Sequence, residues 1–312
     1  MPAVKANNTI YIDSPMSDDV RRQAVYQGQI FVYLRSPAVT RFVEFTRGLI
    51  EEAFASLDPC LAQHRLPVER FAAILGELKP RFIHHPESKR HLQDILLELG
   101  CDPAQTYFDV PKLRSSTSDQ YLTTGIAYAW HPHRDTWYSA PGCQLNWWLP
   151  VYNIESENAM AFHPAYFDRA IRNNSSGYNY YVWNKLHRGP QVAQMIKAES
   201  RPLPRAVEPI ELDPQFRIVC PPGGILLFSG QHLHSSVPNT SGKTRYSIDF
   251  RTVHLADARE GRGARLVDAE CTGTTMRDYL RATDLSRLPE AVVARYDDGT
   301  ADLGEAIYAS SQ

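Results

Sequence analysis

The sequence predicts a mainly β protein, a jelly-roll or cupin-type barrel flanked by helices. Two observations predict this fold class. From about residue 106 to residue 255, short runs of aromatic and β-branched residues alternate with turns rich in proline and glycine. From about residue 17 to residue 105, apolar residues recur at helical spacing instead. Many short strands beside surface helices are typical of such barrels, and a chain of 312 residues fits one domain, 1–312.

The N-terminal region predicts helices that support the barrel from outside. Ser17 can cap the first of them, and Asp18 and Asp19 supply an acidic first turn. Apolar spacing predicts the helices themselves over residues 20–26, 42–57, 71–78 and 91–99. Their apolar stripes predict packing on the outer face of a sheet, and no chemistry is legible in them.

The central and C-terminal regions predict the strands, one long insert and an extension. The clearest strands span residues 121–130, 144–152, 216–220, 225–228 and 246–253. Residues 165–205 lie between strands and form a helix-like insert with a tyrosine-rich middle. From residue 256 to residue 312, the C-terminal extension is expected to carry short helices near 275–282 and 288–296 and to end in a mobile tail.

Composition excludes several classes of partner. The formal net charge is -2, and no basic run suggests binding to nucleic acid or to an anionic membrane. No apolar stretch reaches the length of a membrane span, and the polar start, Met1 to Asp13, lacks the apolar segment of a signal peptide. The 5 cysteines are scattered and without CxxC spacing, which indicates reduced thiols. We therefore expect a cytoplasmic protein.

One set of residues carries chemistry: His133-Arg134-Asp135, then His234 about a hundred residues later, then Arg245. A histidine and a carboxylate two positions apart, with a distant second histidine, make the 2-His-1-carboxylate set that holds non-heme Fe(II) and leaves coordination positions open. A guanidinium grips a carboxylate bidentately, so Arg245 suits a 2-oxo acid that chelates the iron.

The histidines of this set have competitors nearby. His131 alternates on the same predicted strand face as His133 and Asp135, so strand parity does not choose between the two histidines. The pair His232 and His234 is ambiguous in the same way. For His131, a core histidine satisfied by hydrogen bonds is as good an interpretation as a cavity contact.

Arg245 also has a structural alternative. It begins a run in which Arg245, Ser247, Asp249 and Arg251 fall on one strand face and apolar residues on the other. A buried arginine needs an anion, because an unpaired interior charge is costly. That anion is either Asp249, on the same face, or a bound 2-oxo acid.

These motifs resemble those of the Fe(II)/2-oxoglutarate-dependent oxygenases, specifically the phytanoyl-CoA dioxygenase-like group. The resemblance covers about Tyr128 to Val253. It rests on the His-x-Asp motif and on the run Gly230 to Asn239, followed by an arginine eleven positions after His234. It implies a double-stranded β-helix with an iron site at the barrel mouth. The metal ligands and catalytic residues would be His133, Asp135 and His234, because the family's spacing selects these histidines over their neighbours.

The same resemblance implies Fe(II) as cofactor and 2-oxoglutarate and O2 as co-substrates. Contacts to 2-oxoglutarate would come from four residues, Arg245, Ser236, Trp148 and Gln144. The reaction would decarboxylate 2-oxoglutarate to succinate and CO2 while hydroxylating a substrate, with desaturation, epoxidation or cyclisation open to the same chemistry. Asp135 argues against halogenation, because related halogenases have a small residue at this position.

The substrate is not implied, because the sequence departs from the family where it borders the pocket. Asn158-Ala159 and residues 162–167 stand where the family often has Asn-Gly and Pro-Gly-Ser-His. An apolar cavity with a few polar groups suits a small metabolite or natural-product intermediate. The candidates for its wall are Tyr128, His131, Trp137, Asn146, His163 and Arg251.

The insert 165–205 is a candidate lid, as in the family. It mixes aromatic residues with basic ones that would suit a polar or anionic substrate, among them Lys185, His187, Arg188, Lys197, Arg201 and Arg205. The alternative for any one of these is a solvated helical face.

A second class of function fits the same strands. A cupin-like binding protein without redox chemistry would hold zinc or no metal and would be indifferent to 2-oxoglutarate. Arg245 and the intact Asp135 favour the oxygenase.

Overall fold

Four α-helices lie in the first hundred residues of the computed structural model, which describes residues 9–299. They are α1 (Asp18–Tyr26), α2 (Pro37–Phe54), α3 (Val68–His84) and α4 (Pro86–Glu98). Three shorter α-helices follow among the described residues, α5 (Tyr180–His187), α6 (Leu255–Glu260) and α7 (Glu290–Val293). The predicted N-terminal helices are confirmed, and α3 runs further in both directions than its apolar pattern indicated.

Local sequence explains where α2 begins. The Ser36 hydroxyl accepts a hydrogen bond from the Val39 amide at 3.1 Å, and Pro37 occupies the first helical turn. Ser17 precedes α1 but makes no capping hydrogen bond with its side chain. The acidic first turn of α1 is present as predicted.

The strands of residues 9–299 form two sheets. They are β1 (Ile10–Ile12), β2 (Ile30–Tyr33), β3 (Thr106–Phe108), β4 (Lys112–Ser116), β5 (Leu145–Pro150), β6 (Met160–Phe162), β7 (Phe216–Arg217), β8 (Ile225–Ser229), β9 (His234–Ser236), β10 (Arg245–His254) and β11 (Leu280–Arg281). The large sheet has the order β1-β2-β8-β5-β10-β3-β11, and β4 also pairs with β10. The small sheet has the order β7-β6-β9. β1 and β2 run parallel, whereas the other pairs are antiparallel.

A large mixed sheet packs against a small one, and the predicted jelly-roll or cupin-type barrel is not closed in the described residues. Trp148 and Phe228 of the large sheet share a buried apolar cluster with Met160 and Phe162 of the small sheet. The strands of the small sheet have only 2 or 3 residues each, which is too few to pair with both edges of the large sheet. The two sheets therefore enclose a space without closing into a barrel in the described part of the chain.

Strand β10 separates the core from that space. Its residues Tyr246, Ile248 and Phe250 are fully buried in the apolar core that includes α2, α3 and α4. The alternate residues, among them Arg245 and Arg251, line the cavity on the other side. The predicted alternation along this strand is confirmed, and it sets which side chains can reach a ligand.

The strand predicted over residues 121–130 is wrong. Gly125–Ala127 forms a 3-10 turn, and Gly125 has a φ of 53°. A Cβ at Gly125 would lie 2.4 Å from the Val192 carbonyl oxygen, so the insert packs directly on this turn. Only glycine accepts both this backbone conformation and this close approach.

Other predicted elements change more modestly. The strand at 216–220 shortens to β7, and the region near 275–282 is a 3-10 turn (Thr275–Asp278) followed by β11. In the insert, α5 is the one α-helix, and the other helical parts are short 3-10 turns. The predicted mobile tail falls after residue 299, outside the described residues. Between residues 9 and 299, no helix has both the length and the apolar character that crossing a bilayer requires.

Candidate metal centre

His133, Asp135 and His234 meet at the junction of the two sheets. His133 and His234 form an antiparallel bridge in which each amide donates to the other's carbonyl at 3.0 Å. The Asp135 amide donates to the Gly230 carbonyl at 3.0 Å. One nitrogen or oxygen from each of the three side chains lies within 4.8 Å of the others, and all three residues are buried. The backbone thus brings the two halves of the motif together.

Hydrogen bonds orient both imidazoles toward a shared point. The Nδ1 atoms of His133 and His234 lie 2.7 Å and 3.0 Å from the carbonyls of His131 and His232, respectively. Donation to these carbonyls places the proton on Nδ1 and leaves Nε2 as the free ligand atom. Each Nε2 faces Asp135 Oδ1, at 3.7 Å for His133 and 3.8 Å for His234.

The electrostatics keep the histidines neutral. Burial, helped by the neighbouring His234, lowers the pKa of His133 to about 3. Burial also lowers the pKa of His234, although Asp135 opposes this effect. Neutral imidazole is the form that binds a metal ion. The donor set of two imidazoles and one carboxylate therefore fits a divalent metal such as Fe(II).

Asp135 presents one oxygen to the histidines and has the other held in place. Its Oδ2 accepts hydrogen bonds from Gln144 Nε2 at 3.2 Å, Asn146 Nδ2 at 3.0 Å and Arg251 Nε at 3.3 Å. Burial raises the pKa of Asp135, but Arg251 and the two histidines outweigh burial and hold this pKa below its usual range. Three donors on one oxygen fix the carboxylate plane, which leaves Oδ1 for a metal ion.

Arg134, between the two ligands of the motif, is fully buried on the opposite side of the chain. Its guanidinium pairs with Asp268 at 3.1 Å and donates to the carbonyls of Gln231, Tyr166 and Arg169 at 2.6 to 2.7 Å. The ligand segment is therefore attached to three other parts of the chain.

The competing histidines lie elsewhere. His131 is exposed, with its ring against Tyr128, so it is neither a core histidine nor a residue of the cavity lining. His232 is buried, and its ring nitrogens lie 3.0 Å from the Gly28 carbonyl and 3.3 Å from the Ser229 carbonyl. Strand parity misled here because Asp135 begins a 3-10 turn (Asp135–Tyr138) and does not continue a strand.

A cavity of about 390 Å³ opens on the three candidate ligands. Seven of the other residues expected at the site line it, Tyr128, Gln144, Asn146, Trp148, Ser236, Arg245 and Arg251. Trp137 and His163 do not line it. Trp137 is fully buried and donates to Asp268 at 2.9 Å, and His163 lies between the Leu212 carbonyl and the Ser235 hydroxyl. The 3-10 turn rotates Trp137 away from the cavity.

Arg245 is a buried cation without a carboxylate partner. Its Nη1 donates to the carbonyls of Asn158 and Ala159 at 2.9 Å and 3.3 Å, and its buried Nε has no hydrogen-bond partner. The guanidinium carbon lies 5.6 Å from the centre of the Trp148 ring. Burial lowers the pKa of Arg245 to about 10. An anion in the cavity would pair with this guanidinium. The family resemblance implies that this anion is the terminal carboxylate of 2-oxoglutarate.

Asp249, the other candidate partner of Arg245, pairs with two different arginines. It accepts hydrogen bonds from Arg114 at 2.6 Å and 3.2 Å, and Arg251 lies 2.9 Å away. Among the described residues, no carboxylate oxygen lies within 4.0 Å of the Arg245 guanidinium. The interpretation of Arg245 as the partner of Asp249 is therefore wrong.

The insert contributes one wall of the cavity. The Tyr178 ring lies 5.3 Å from Tyr138, whose ring lies 5.6 Å from His133. Of the six basic residues named as substrate contacts, Arg188 and Arg201 line the cavity, Lys185, Lys197 and Arg205 are exposed, and His187 is half-buried outside the cavity lining. Arg201 is already paired with Glu199 at 2.7 Å.

Sequence reasoning missed several polar residues of the cavity. Lys112 and Arg114 alternate on β4, which pairs with the start of β10, and their spacing was a usable signal. Lys79 lies on α3, and Asp278 lies in the C-terminal extension. Nothing in their local sequence indicates a cavity, because long-range packing alone brings them there.

No protein-family model and no curated protein matches the sequence. Similar solved structures include EvdO2 from Micromonospora carbonacea var. aurantiaca, with 11% identity over 77% of this chain and 92% of that chain and a TM-score of 0.43. The non-heme alpha ketoglutarate dependent carbocyclase SnoK from nogalamycin biosynthesis has 12% identity, coverages of 85% and 96%, and a TM-score of 0.38. The epimerase SnoN in complex with Fe3+, alpha ketoglutarate and nogalamycin RO has 13% identity, coverages of 75% and 83%, and a TM-score of 0.37. At these identities and TM-scores, the similarity by itself assigns no activity to this chain.

Proposed function

We propose that this protein is an Fe(II)- and 2-oxoglutarate-dependent oxygenase that hydroxylates a small organic substrate. One observation carries the proposal. A buried set of two neutral imidazoles and a carboxylate opens on the same cavity as Arg245, a buried guanidinium without a carboxylate partner. Membership of the phytanoyl-CoA dioxygenase-like group, with its double-stranded β-helix, is part of the proposal and is supported by the motif spacing.

His133, Asp135 and His234 would hold the metal ion. Gln144, initially a candidate for contact with 2-oxoglutarate, has a different role in the proposal because its amide donates to Asp135. Together with Arg251, it would keep Asp135 Oδ1 turned toward the metal.

Arg245 would bind the far carboxylate of 2-oxoglutarate. Trp148 lies under the guanidinium, and Ser236 lines the same part of the cavity. A planar fork with an unpartnered Nε suits a carboxylate, and burial strengthens the contact. When bound, Fe(II) with 2-oxoglutarate and O2 supplies the oxidising chemistry, with release of succinate and CO2.

The aromatic residues around the ligands would exclude water and orient the substrate. The Trp130 ring lies 4.9 Å from the His133 ring, and Tyr138 and Tyr178 continue this wall toward the insert. Hydroxylation is the simplest outcome, and desaturation, epoxidation or cyclisation would need only a different substrate pose. The substrate would be a small metabolite or natural-product intermediate.

The competing proposal is a cupin-like metal- or ligand-binding protein without redox chemistry. Arg245 weighs against the form of this proposal in which only a metal is bound, because such a protein gains nothing from an unpaired buried cation.

An anaerobic titration tests the proposal. Fe(II) and then 2-oxoglutarate are added to the purified protein, and a weak visible charge-transfer band is expected. The competing proposal predicts tight zinc binding or no metal binding, no such band and no thermal shift with 2-oxoglutarate. That result, with no succinate formed on exposure to O2, would exclude the oxygenase.

A further inference from the structure

We propose that Lys79 binds the negative end of the substrate, and that the chamber between Lys79 and His133 accepts an anionic aromatic compound. This inference rests on the proposed function only in placing the reacting end of that compound at the metal. Arg245 is not part of it, because Arg245 contacts Trp148 and residues 158–159 on a different wall.

Lys79 is a cation with neutral partners. It extends from α3 past the edge of β4, where its ammonium donates to the Ser115 hydroxyl at 3.1 Å and to the Ile126 carbonyl. No carboxylate oxygen in residues 9–299 lies within 4.0 Å of its Nζ. An ammonium has three N–H groups, so one is left for a ligand in the cavity that Lys79 lines.

The neighbouring cations differ from Lys79 because each has its own carboxylate. Lys112 pairs with Asp109, Arg114 with Asp249, and Arg201 with Glu199. Lys79 lies close enough to Arg114 and Arg201 for both to oppose its charge. Burial lowers the pKa of Lys79 to about 7, with Arg114 and Arg201 adding to the shift and Asp249 opposing it. An anion beside Lys79 would relieve this repulsion, whereas a neutral group would not.

The wall from Lys79 to the metal is aromatic. Beyond Ile126, the Tyr128 and Trp130 rings lie 5.2 Å apart, and Trp130 lies 4.9 Å from His133. Arg114 and Arg201 lie over the Trp130 and Tyr128 rings at 5.5 Å and 5.9 Å. A flat ring system packs well against such rings, and a carboxylate at its end would then reach Lys79.

Calorimetric titration with three naphthyl compounds of matched shape tests the proposal. They are 2-naphthoate, 2-naphthalenemethanol and 2-naphthylmethylamine, added to the full-length protein loaded with Ni(II) and saturating 2-oxoglutarate. We expect 2-naphthoate to bind at least about tenfold more tightly than the alcohol, and the amine to bind most weakly. Equal affinity for acid and alcohol, or no binding of any of the three, would overturn the proposal.

Variants then locate the preference. Lys79→Met should bring acid and alcohol to similar affinities while the affinity for the alcohol stays at the wild-type level, which shows an intact chamber. Lys79→Arg should keep part of the preference, and Lys185→Met, at an exposed position of α5 outside the cavity lining, should keep all of it. If Lys79→Met retains the preference, Lys79 does not bind the anion. If Lys79→Met also loses the alcohol, Lys79→Gln replaces it in the same comparison.

The same titrations on metal-free protein without 2-oxoglutarate separate this inference from the proposed function. Loss of the preference in Lys79→Met under these conditions supports the anion site even if no charge-transfer band forms with Fe(II). A charge-transfer band together with no preference in the wild type supports the oxygenase and overturns the role of Lys79.

Discussion

The guanidinium of Arg134 and the carboxylate of Asp268 form a buried ion pair behind the candidate metal ligands. Arg134 Nε and Asp268 Oδ2 are 3.1 Å apart, and the same carboxylate accepts hydrogen bonds from Trp137 Nε1 and the Ile171 amide at 2.9 Å. Because Arg134 stands between His133 and Asp135, this pair connects the ligand segment to the C-terminal region.

Asp268→Ala should therefore weaken metal binding although Asp268 does not face the cavity. Loss of a group that supports the ligands typically costs about 10- to 100-fold in metal affinity, and an uncompensated buried Arg134 should cost about 3–5 kcal/mol of stability. Ni(II) titration and thermal melting measure both effects. Asp284→Ala, which removes a half-exposed partner of Arg281, is the control and should change neither. Unchanged Ni(II) affinity in Asp268→Ala would show that the ligand segment holds its shape alone.

The proposed metal ligands should be separable from their neighbours by metal content. His133→Ala, Asp135→Ala and His234→Ala should each lose iron and turnover, because a three-ligand site without one member loses affinity and geometry. His131→Ala should retain iron, since His131 is exposed. Iron quantitation on the purified variants decides the matter.

His232→Ala is the sharper control for these ligand variants. His232 is buried against the Gly28 carbonyl, so its loss should lower the melting temperature and leave the iron content near normal. Loss of iron in His232→Ala together with retention in His234→Ala would show that His232, and not His234, is the metal ligand.

Arg245→Ala should keep the iron and raise the concentration of 2-oxoglutarate required for half-maximal turnover by at least about tenfold. A buried charge-assisted contact is worth about 2–5 kcal/mol when one partner is truncated. Arg245→Lys should recover only part, because an ammonium lacks the planar fork. Arg172→Ala removes an arginine whose side chain is 72% exposed and should behave as wild type. An unchanged 2-oxoglutarate requirement in folded Arg245→Ala would assign Arg245 a structural role only.

Lys79→Met should raise the melting temperature of the ligand-free protein, and more at pH 7 than at pH 10. The pKa of Lys79 in the folded chain, about 7, lies below its ordinary value of 10.5. As the pH falls from 10 to 7, the unfolded chain therefore takes up a proton that the folded chain resists, which destabilises the fold. Replacement by Met removes this cost. Lys185→Met, at an exposed position of α5, should give no gain at either pH. An equal gain at both pH values would show that the pKa of Lys79 is the same in the folded and the unfolded chain.

Limited proteolysis tests whether the insert acts as a lid. Cleavage between Asn173 and Arg205 should slow when metal, 2-oxoglutarate and substrate are present, because α5 and the residues around it line the cavity. Cleavage sites on the opposite side of the molecule provide the reference rate. Equal rates within the insert with and without ligands would show a fixed wall and no moving lid.

Alternation along the chain was enough to predict the two faces of β10, because it depends only on regular backbone. The choice of His133 and His234 over His131 and His232 came from the family resemblance, because alternation alone left both pairs open. The positions of Trp137 and His131 were not predictable in this way, because parity assumes a continuous strand and the chain turns at Asp135. Whether the two sheets close into a barrel was not predictable either, since it depends on the lengths of short strands.

Lys79 shows a different limit of sequence reasoning. The apolar stripe of α3 tells which face packs on the sheet, but not which long side chain crosses the edge of β4. That depends on where the helix lies along the strand, and only tertiary packing sets it. Ion-pair partners, such as Glu199 for Arg201, are also hard to predict from sequence. The basic residues of the insert differ in function only once the structure shows which of them pair with a carboxylate.

The mutual hydrogen bonds of His133 and His234 have a consequence for how the protein matures. These residues are about a hundred positions apart, so a growing polypeptide has no complete ligand set until β9 has emerged and the long intervening loop has closed. A ribosome-bound chain that lacks β9 would therefore lack one of the proposed metal ligands, and we expect metal loading to follow folding.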